Sequence, residues 1–129
     1  MKKPSDYSAI KRKFFGQINQ SQNASGSKTF GRKIYFDKIV SSVDCCCLIV
    51  HSSLINKYNL RFDENLSWHM YAEDFCIHAK AVHNITSLIT QFDCFHLGEG
   101  KLSDDFRTCA KYVKDKHKLK WLKTTCIDN

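Results

Sequence analysis

Hydrophobic positions along the chain change period several times, and each change predicts an element. Over residues 68–80, W-H-M-Y-A-E-D-F-C-I-H-A-K, and the Ala81 that follows, apolar Met70, Tyr71, Phe75, Ile77 and Ala81 recur near i, i+3 and i+4. That spacing predicts a helix with one buried face. Residues 43–50, V-D-C-C-C-L-I-V, are almost continuously apolar and of strand length, which predicts a strand covered on both faces. Ser52 or Ser53 can cap a short helix, S-S-L-I-N-K-Y, and Asn59 tolerates the positive φ that ends one. Residues 60–66 read as a turn-rich link, and Asn84 suits the end of the 68–80 helix. Residues 32–38, with Ile34 and Phe36 apolar, 85–89 and 91–96 read as short strands.

Gly98 and Gly100 mark a flexible loop, and Ser103-Asp104-Asp105 is a good helix start, a cap followed by acids. In that last helix Phe106, Cys109, Ala110, Val113, His117 and Trp121 share a face, with lysines elsewhere. Residues 16–28 are dense in Gly, Ser, Asn and Gln and read as a mobile connector. The pattern therefore predicts a basic lead-in and loop over 1–30 and one domain over 31–129. Strand, helices, strands and helix in that order suit a small α/β or α+β layer.

Composition narrows the class. At 129 residues and 43% hydrophobic, the chain can build one domain with a core. The longest apolar run, 45–50, is too short to span a bilayer, and the N-terminal M-K-K-P-S-D-Y-S lacks the apolar stretch of a signal peptide. Seven cysteines, three of them consecutive at Cys45, Cys46 and Cys47, do not suit an even disulfide framework. Reduced thiols in a cytoplasmic compartment are the expectation, with the three read as small core fillers. Cys76-Ile77-His78 and Cys94-Phe95-His96 lack the spacing of structural zinc ligands.

The net charge of +7 concentrates near the ends. Residues 107–123 carry Arg107, Lys111, Lys114, Lys116, Lys118, Lys120 and Lys123 against Asp115 alone. Such a patch attracts anions or an anionic membrane surface, or is simply a solvated helix face. Its aromatics are only Tyr112 and Trp121 and no recognised binding motif accompanies it, so nucleic acid is not expected.

Chemistry concentrates in Glu73-Asp74. Adjacent acids at a helix start are favoured by the helix dipole and can also serve as a base. Around them, V-D-C-C-C-L-I-V-H-S-S-L-I, L-R-F-D-E-N-L, Y-A-E-D-F-C-I-H-A-K and F-H-L-G follow one another in an order that resembles the C-terminal half of family 2 glycosyltransferases. The resemblance covers about residues 40–105 and implies an incomplete, Rossmann-like GT-A layer. It would be a short mixed sheet with flanking helices, closed by the basic C-terminal helix. It implies transfer of a sugar from a nucleotide-sugar donor to a glycan or lipid-linked acceptor, at the inner face of a membrane.

By that resemblance Asp74 falls where the general base sits, with Glu73 beside it to hold the acceptor or orient the base. Trp68, His69 and Asp44 fall on the acceptor side. His96, Lys80 and Lys101 would meet the diphosphate, and His96 a divalent Mg or Mn ion. Asp63 and Glu64 match a structural turn. The chain departs from the pattern at Cys76, where a second acid is common, at Lys80 for arginine, and at Asn84 for glycine. It contains no D-x-D and no donor-binding half, so the expectation is a fragment or a truncated member. The alternative is an interaction domain that keeps the acceptor-side fold without catalysis.

Overall fold

The computed structural model describes residues 16–21, 28–91, 95–97 and 103–120. Their elements are β1 (Gly16–Ser21), β2 (Lys28–Arg32), β3 (Lys38–Val40), α1 (Ser52–Tyr58), α2 (Tyr71–His83), β4 (Ser87–Ile89), β5 (Phe95–Leu97) and α3 (Asp104–Lys116). β1 pairs antiparallel with β2 (Gly16 opposite Arg32, Gln20 opposite Lys28) and parallel with β5 (Asn19 opposite Phe95). β3 and β4 form a separate antiparallel ribbon, Lys38 opposite Ile89 and Val40 opposite Ser87. The 98–100 loop, Lys101, Trp121 and Lys123 lie outside the described residues.

Three expectations fail here for backbone reasons. The polar 16–28 stretch contains β1, because a strand hydrogen-bonded on both sides satisfies its backbone whatever its side chains. Gly16 opens that strand at φ +95°, a left-handed value that favours glycine. Conversely, the apolar 43–50 run is not a strand. The Asp44 carboxylate accepts the Cys46 N–H at 2.9 Å, a local turn that bends the chain out of an extended path. Cys45, Cys46 and Cys47 are accordingly exposed, not core, and only Leu48 and Val50 turn inward. Residues 33–37 likewise link β2 to β3 instead of forming a strand, with Ile34 buried and Phe36 exposed.

The helices follow the pattern closely. α1 starts one residue earlier than a serine cap would place it, since the His51 ring accepts the Ser53 N–H. Asn59 (φ 48°) and Asn84 (φ 56°) both take the left-handed conformation that ends α1 and α2. After α2, the Asn84 N–H reaches the Lys80 carbonyl and the Ile85 N–H the Ala79 carbonyl, which satisfies the last turn. Ser103 caps α3 by accepting the Phe106 N–H at 3.1 Å.

α2 sits between two apolar clusters. On one side Leu66 and Met70 pack with Phe106, Cys109 and Val113 of α3. On the other, Phe75 and Ala79 pack with Leu60 and against Leu48, Val50, Leu54, Ile55 and Tyr58. Burying each such side chain stabilises by about 1.5–3 kcal/mol, enough to hold the first turn of α2 against the last turn of α3. Met70, at the start of α2, is 2% exposed yet sits at φ +66°, an uncommon conformation for a residue with a side chain. The acidic pair thus follows a strained, firmly packed residue. On the β3–β4 ribbon Ile39 and Leu88 stand opposite each other and stay exposed.

Candidate active site

Both carboxylates of the pair are buried, Glu73 at 7% and Asp74 at 2% exposure. A purely solvated helix start does not describe them. They occupy the first turn of α2, at the positive end of its dipole.

Asp74 faces α3. One carboxylate oxygen lies 2.7 Å from His117 Nε2, and the other accepts from Lys116 Nζ at 2.8 Å. Lys116 also donates to Asp63 at 2.7 Å, so one ammonium bridges two aspartates. Asp63 further accepts from the Tyr112 hydroxyl at 2.8 Å, and from the Asn65 backbone and side chain at 2.9 and 2.8 Å. The Lys116 contact, then these others, hold Asp63 well below the usual carboxylate range. Burial works to lower Lys116, but its bonds to Asp63 and Asp74 outweigh this and hold it above its ordinary value. The arrangement joins an acid at a helix N-terminus to the Lys116 ammonium and the His117 ring at the end of α3, where the helix dipoles favour the carboxylate and the ammonium.

Glu73 has different surroundings. Its carboxyl accepts from its own backbone N–H, with no other hydrogen-bond partner among the described residues. Burial foremost, and then the nearby Asp44 carboxylate, push it from 4.5 up to about 7. Asp44 is half-buried and precedes the exposed cysteine turn. Desolvation and Asp44 also raise the Cys45 thiol, and desolvation and Cys45 raise the Tyr71 hydroxyl. Asp44, Cys45, Tyr71 and Glu73 thus share one electrostatic neighbourhood in which thiol and phenol keep their protons at neutral pH.

This has a measurable sign. Unfolded Glu73 loses its proton near 4.5, whereas the folded carboxyl keeps it to about 7. Stability therefore declines as the pH rises from about 4.5 to about 7 and levels off above, by about 3 kcal/mol for this group. Glu73→Gln cannot ionise and is expected to remove that decline. Urea titrations across the range should show the variant's advantage growing with pH, and a pH-independent difference would contradict the assignment. Asp63 acts oppositely: its lowered value adds stability that is lost as the pH falls below its ordinary 3.8.

The other sequence-predicted residues scatter. The Trp68 indole is exposed. His69 packs edge-on against Phe106, and its Nε2 lies 3.4 Å from Ser103 Oγ and 3.9 Å from Asp105. One nitrogen serves both contacts, so the three form no catalytic relay. Lys80 lies six residues beyond Asp74, about 9 Å along the helix. There its ammonium donates to Asn84 and Thr86. His96 lies on β5, its Nδ1 buried with no hydrogen-bond partner among the described residues.

A divalent ion does not fit the described residues. No three His, Cys, Asp or Glu side chains converge among them. Asp74 is already matched by two basic groups. The basic helix is also less free than its composition implies. Arg107 pairs with Asp104, Lys111 with Asp115, and Lys116 with the two aspartates. No helix among the described residues is long and apolar enough to cross a membrane.

Lys116, His117 and Tyr112 are the functional candidates that motif reasoning missed. Their signal was present: His117 is a polar residue on the apolar face of α3, and such a residue needs a buried partner. Comparisons of the chain with protein-family models, curated proteins and solved structures each found no match.

Proposed function

We propose that the chain is the acceptor-side part of a glycosyltransferase of the GT-A type, moving a sugar from a nucleotide-sugar donor to a glycan or lipid-linked acceptor. The observation that carries this reading is the buried acidic pair at the start of α2, lying beside the Asp44 turn. Burial of two adjacent carboxylates costs stability unless they are paired or used. The ordered motifs on either side support the same reading. Donor and any divalent ion would be held by residues outside those described. The exposed Ile39 and Leu88 favour a second reading, a non-catalytic interaction domain.

Both readings meet in one experiment on the enzyme that carries this segment. Nucleotide-sugar donors and glycan acceptors are incubated with it, and transfer is followed by mass spectrometry. The double variant Glu73→Gln, Asp74→Asn is expected to lower turnover by on the order of a hundredfold or more. Far-UV circular dichroism should stay unchanged. Undiminished transfer in the folded double variant would remove the acidic pair from catalysis. An absence of transfer by the unaltered enzyme would favour the interaction domain. Calorimetry on the chain itself is expected to detect acceptor glycan but not UDP or GDP.

A further inference from the structure

We propose that the β3–β4 ribbon and the bend before it form a docking surface for an anionic lipid bilayer. Tyr35, Phe36, Ile39 and Leu88 enter the interface, and Lys33, Lys38 and Lys80 meet the headgroups. The inference goes beyond the transfer reading and does not depend on it.

Side chains alternate across a strand, so register decides what each face of the ribbon presents. One face carries Lys38, Val40, Ser87 and Ile89. Ile89 Cδ1 lies 3.7 Å from where a Cβ on Gly16 would stand, so this face approaches the start of β1. The other face carries the cross-strand pair Ile39 and Leu88, 77% and 53% exposed. A shift of one residue would turn that aliphatic pair inward, yet the fold keeps it outside. Just upstream, Ile34 is buried and pins the chain, while Tyr35 and Phe36 at the bend are 74% and 78% exposed. Phe36 is three residues from Ile39, at most about 11 Å even along an extended chain, so bend and ribbon are neighbours on the surface.

Ammonium groups border these side chains. Lys33 Nζ lies over the Tyr35 ring, 5.9 Å from its centroid. Lys38 opens β3 and is exposed. Lys80 reaches from α2 to donate to Thr86 Oγ1 at 3.2 Å, two residues before Leu88. None of the three forms an ion pair with an acid among the described residues. Residues 32–40 carry Arg32, Lys33 and Lys38 against Asp37 alone.

A partner for this surface must be apolar and negatively charged at once. An anionic bilayer is both. Aromatic and aliphatic side chains settle at the acyl boundary, and lysine stems lie along them while the ammonium stays at headgroup level. A second copy of the chain fits less well, because a two-fold contact would set these lysines against their own counterparts. The patch is also small for that purpose. Even with each aromatic side chain burying about 150–250 Å², four partly exposed side chains fall short of the ~800 Å² per partner of a stable interface. Single-stranded nucleic acid fits less well too. Lys33 takes one face of the Tyr35 ring, and Ile39 and Leu88 offer no ring for a base to stack on.

The test floats the chain with vesicles of phosphatidylcholine alone and with vesicles enriched in phosphatidylserine. Binding to the phosphatidylserine vesicles is expected, weakened by salt. The triple variant Phe36→Ser, Ile39→Thr, Leu88→Thr should partition at least about tenfold less, since its side chains gain little on leaving water. Its circular dichroism and urea midpoint should hold, because all three positions are exposed. Lys33→Gln and Lys38→Gln should each weaken binding about fivefold. In the unaltered chain, a nitroxide on the lipid headgroup should broaden the Ile39 and Leu88 methyl signals well before those of buried Val113. Undiminished flotation of the triple variant, with loss instead in Lys114→Gln, Lys118→Gln, Lys120→Gln, would overturn the assignment in favour of α3. Failure to float with either vesicle would overturn it outright. So would a dimer in analytical ultracentrifugation, or a complex with a single-stranded oligonucleotide, that the triple variant loses.

Discussion

Replacing Asp74 with alanine is expected to destabilise the folded chain by about 3–5 kcal/mol, because it breaks a buried ion pair. The size follows from what remains rather than from what is removed. Lys116 and His117 stay where α3 holds them, with side chains 30% and 9% exposed, and neither keeps a partner at the Asp74 position. Lys116 retains Asp63, so its half of the loss is partly cushioned. His117 has no such second acid among its ion pairs. Urea unfolding should show a lower midpoint with an unchanged slope, as expected if the native state is weakened and not merely expanded. Asp74→Asn, which keeps an oxygen to accept a hydrogen bond, should lose less. A double-mutant cycle between Asp74 and Lys116 should return a coupling of about 1 kcal/mol or more. A loss below about 1 kcal/mol for Asp74→Ala would mean the network behaves as a surface ion pair.

Truncating Phe106 to alanine is expected to cost about 3–5 kcal/mol, through packing instead of charge. Phe106 lies in the first turn of α3, is 7% exposed, and fills the space among Leu66, Met70, Cys109 and Val113. It also carries the His69 ring edge-on at 5.5 Å. Removing the ring leaves a cavity that a helix tied at both ends cannot close. The N-terminal end is held by the Ser103 cap and the C-terminal end by Asp74. Phe106→Leu, closer in volume, should cost less than about 1.5 kcal/mol. Hydrogen exchange should show faster opening of α3 in Phe106→Ala, and the same degree of opening in both variants would place the packing elsewhere. Phe62, 51% exposed over Tyr71 and Phe75, is the contrasting case and should lose clearly less.

These expectations explain why a basic helix need not mean a basic surface. Read as composition, residues 107–123 present seven cations against one acid. In the fold, Lys116 points inward to two aspartates, and Arg107 and Lys111 are occupied by acids one turn away. Lys114, Lys118 and Lys120 are the exposed lysines of the described part of that stretch that form no ion pair with an acid among the described residues. Attraction of that helix to an anionic surface would rest on them at about 1 kcal/mol each.

What the chain order determines by itself is local. The helical period within 68–80, which forms α2 from Tyr71 onward, and the helix ends at Asn59, Asn84 and Ser103 are short-range preferences of backbone and side chain, and they appear in α1, α2 and α3. The acidic pair was legible too, because two carboxylates at a helix start stand out in any reading. Strands were less legible. Whether 16–21 pairs, or 43–50 does not, depends on what lies beside the backbone, and the partners of β1 are β2 and the distant β5. Only the tertiary structure decides how the acidic pair is divided. Asp74 meets Lys116 and His117, more than forty positions away, whereas Glu73 is turned into the field of Asp44. Adjacent residues in the chain point in different directions on a helix, and burial then gives each carboxylate neighbours that sequence proximity does not reveal.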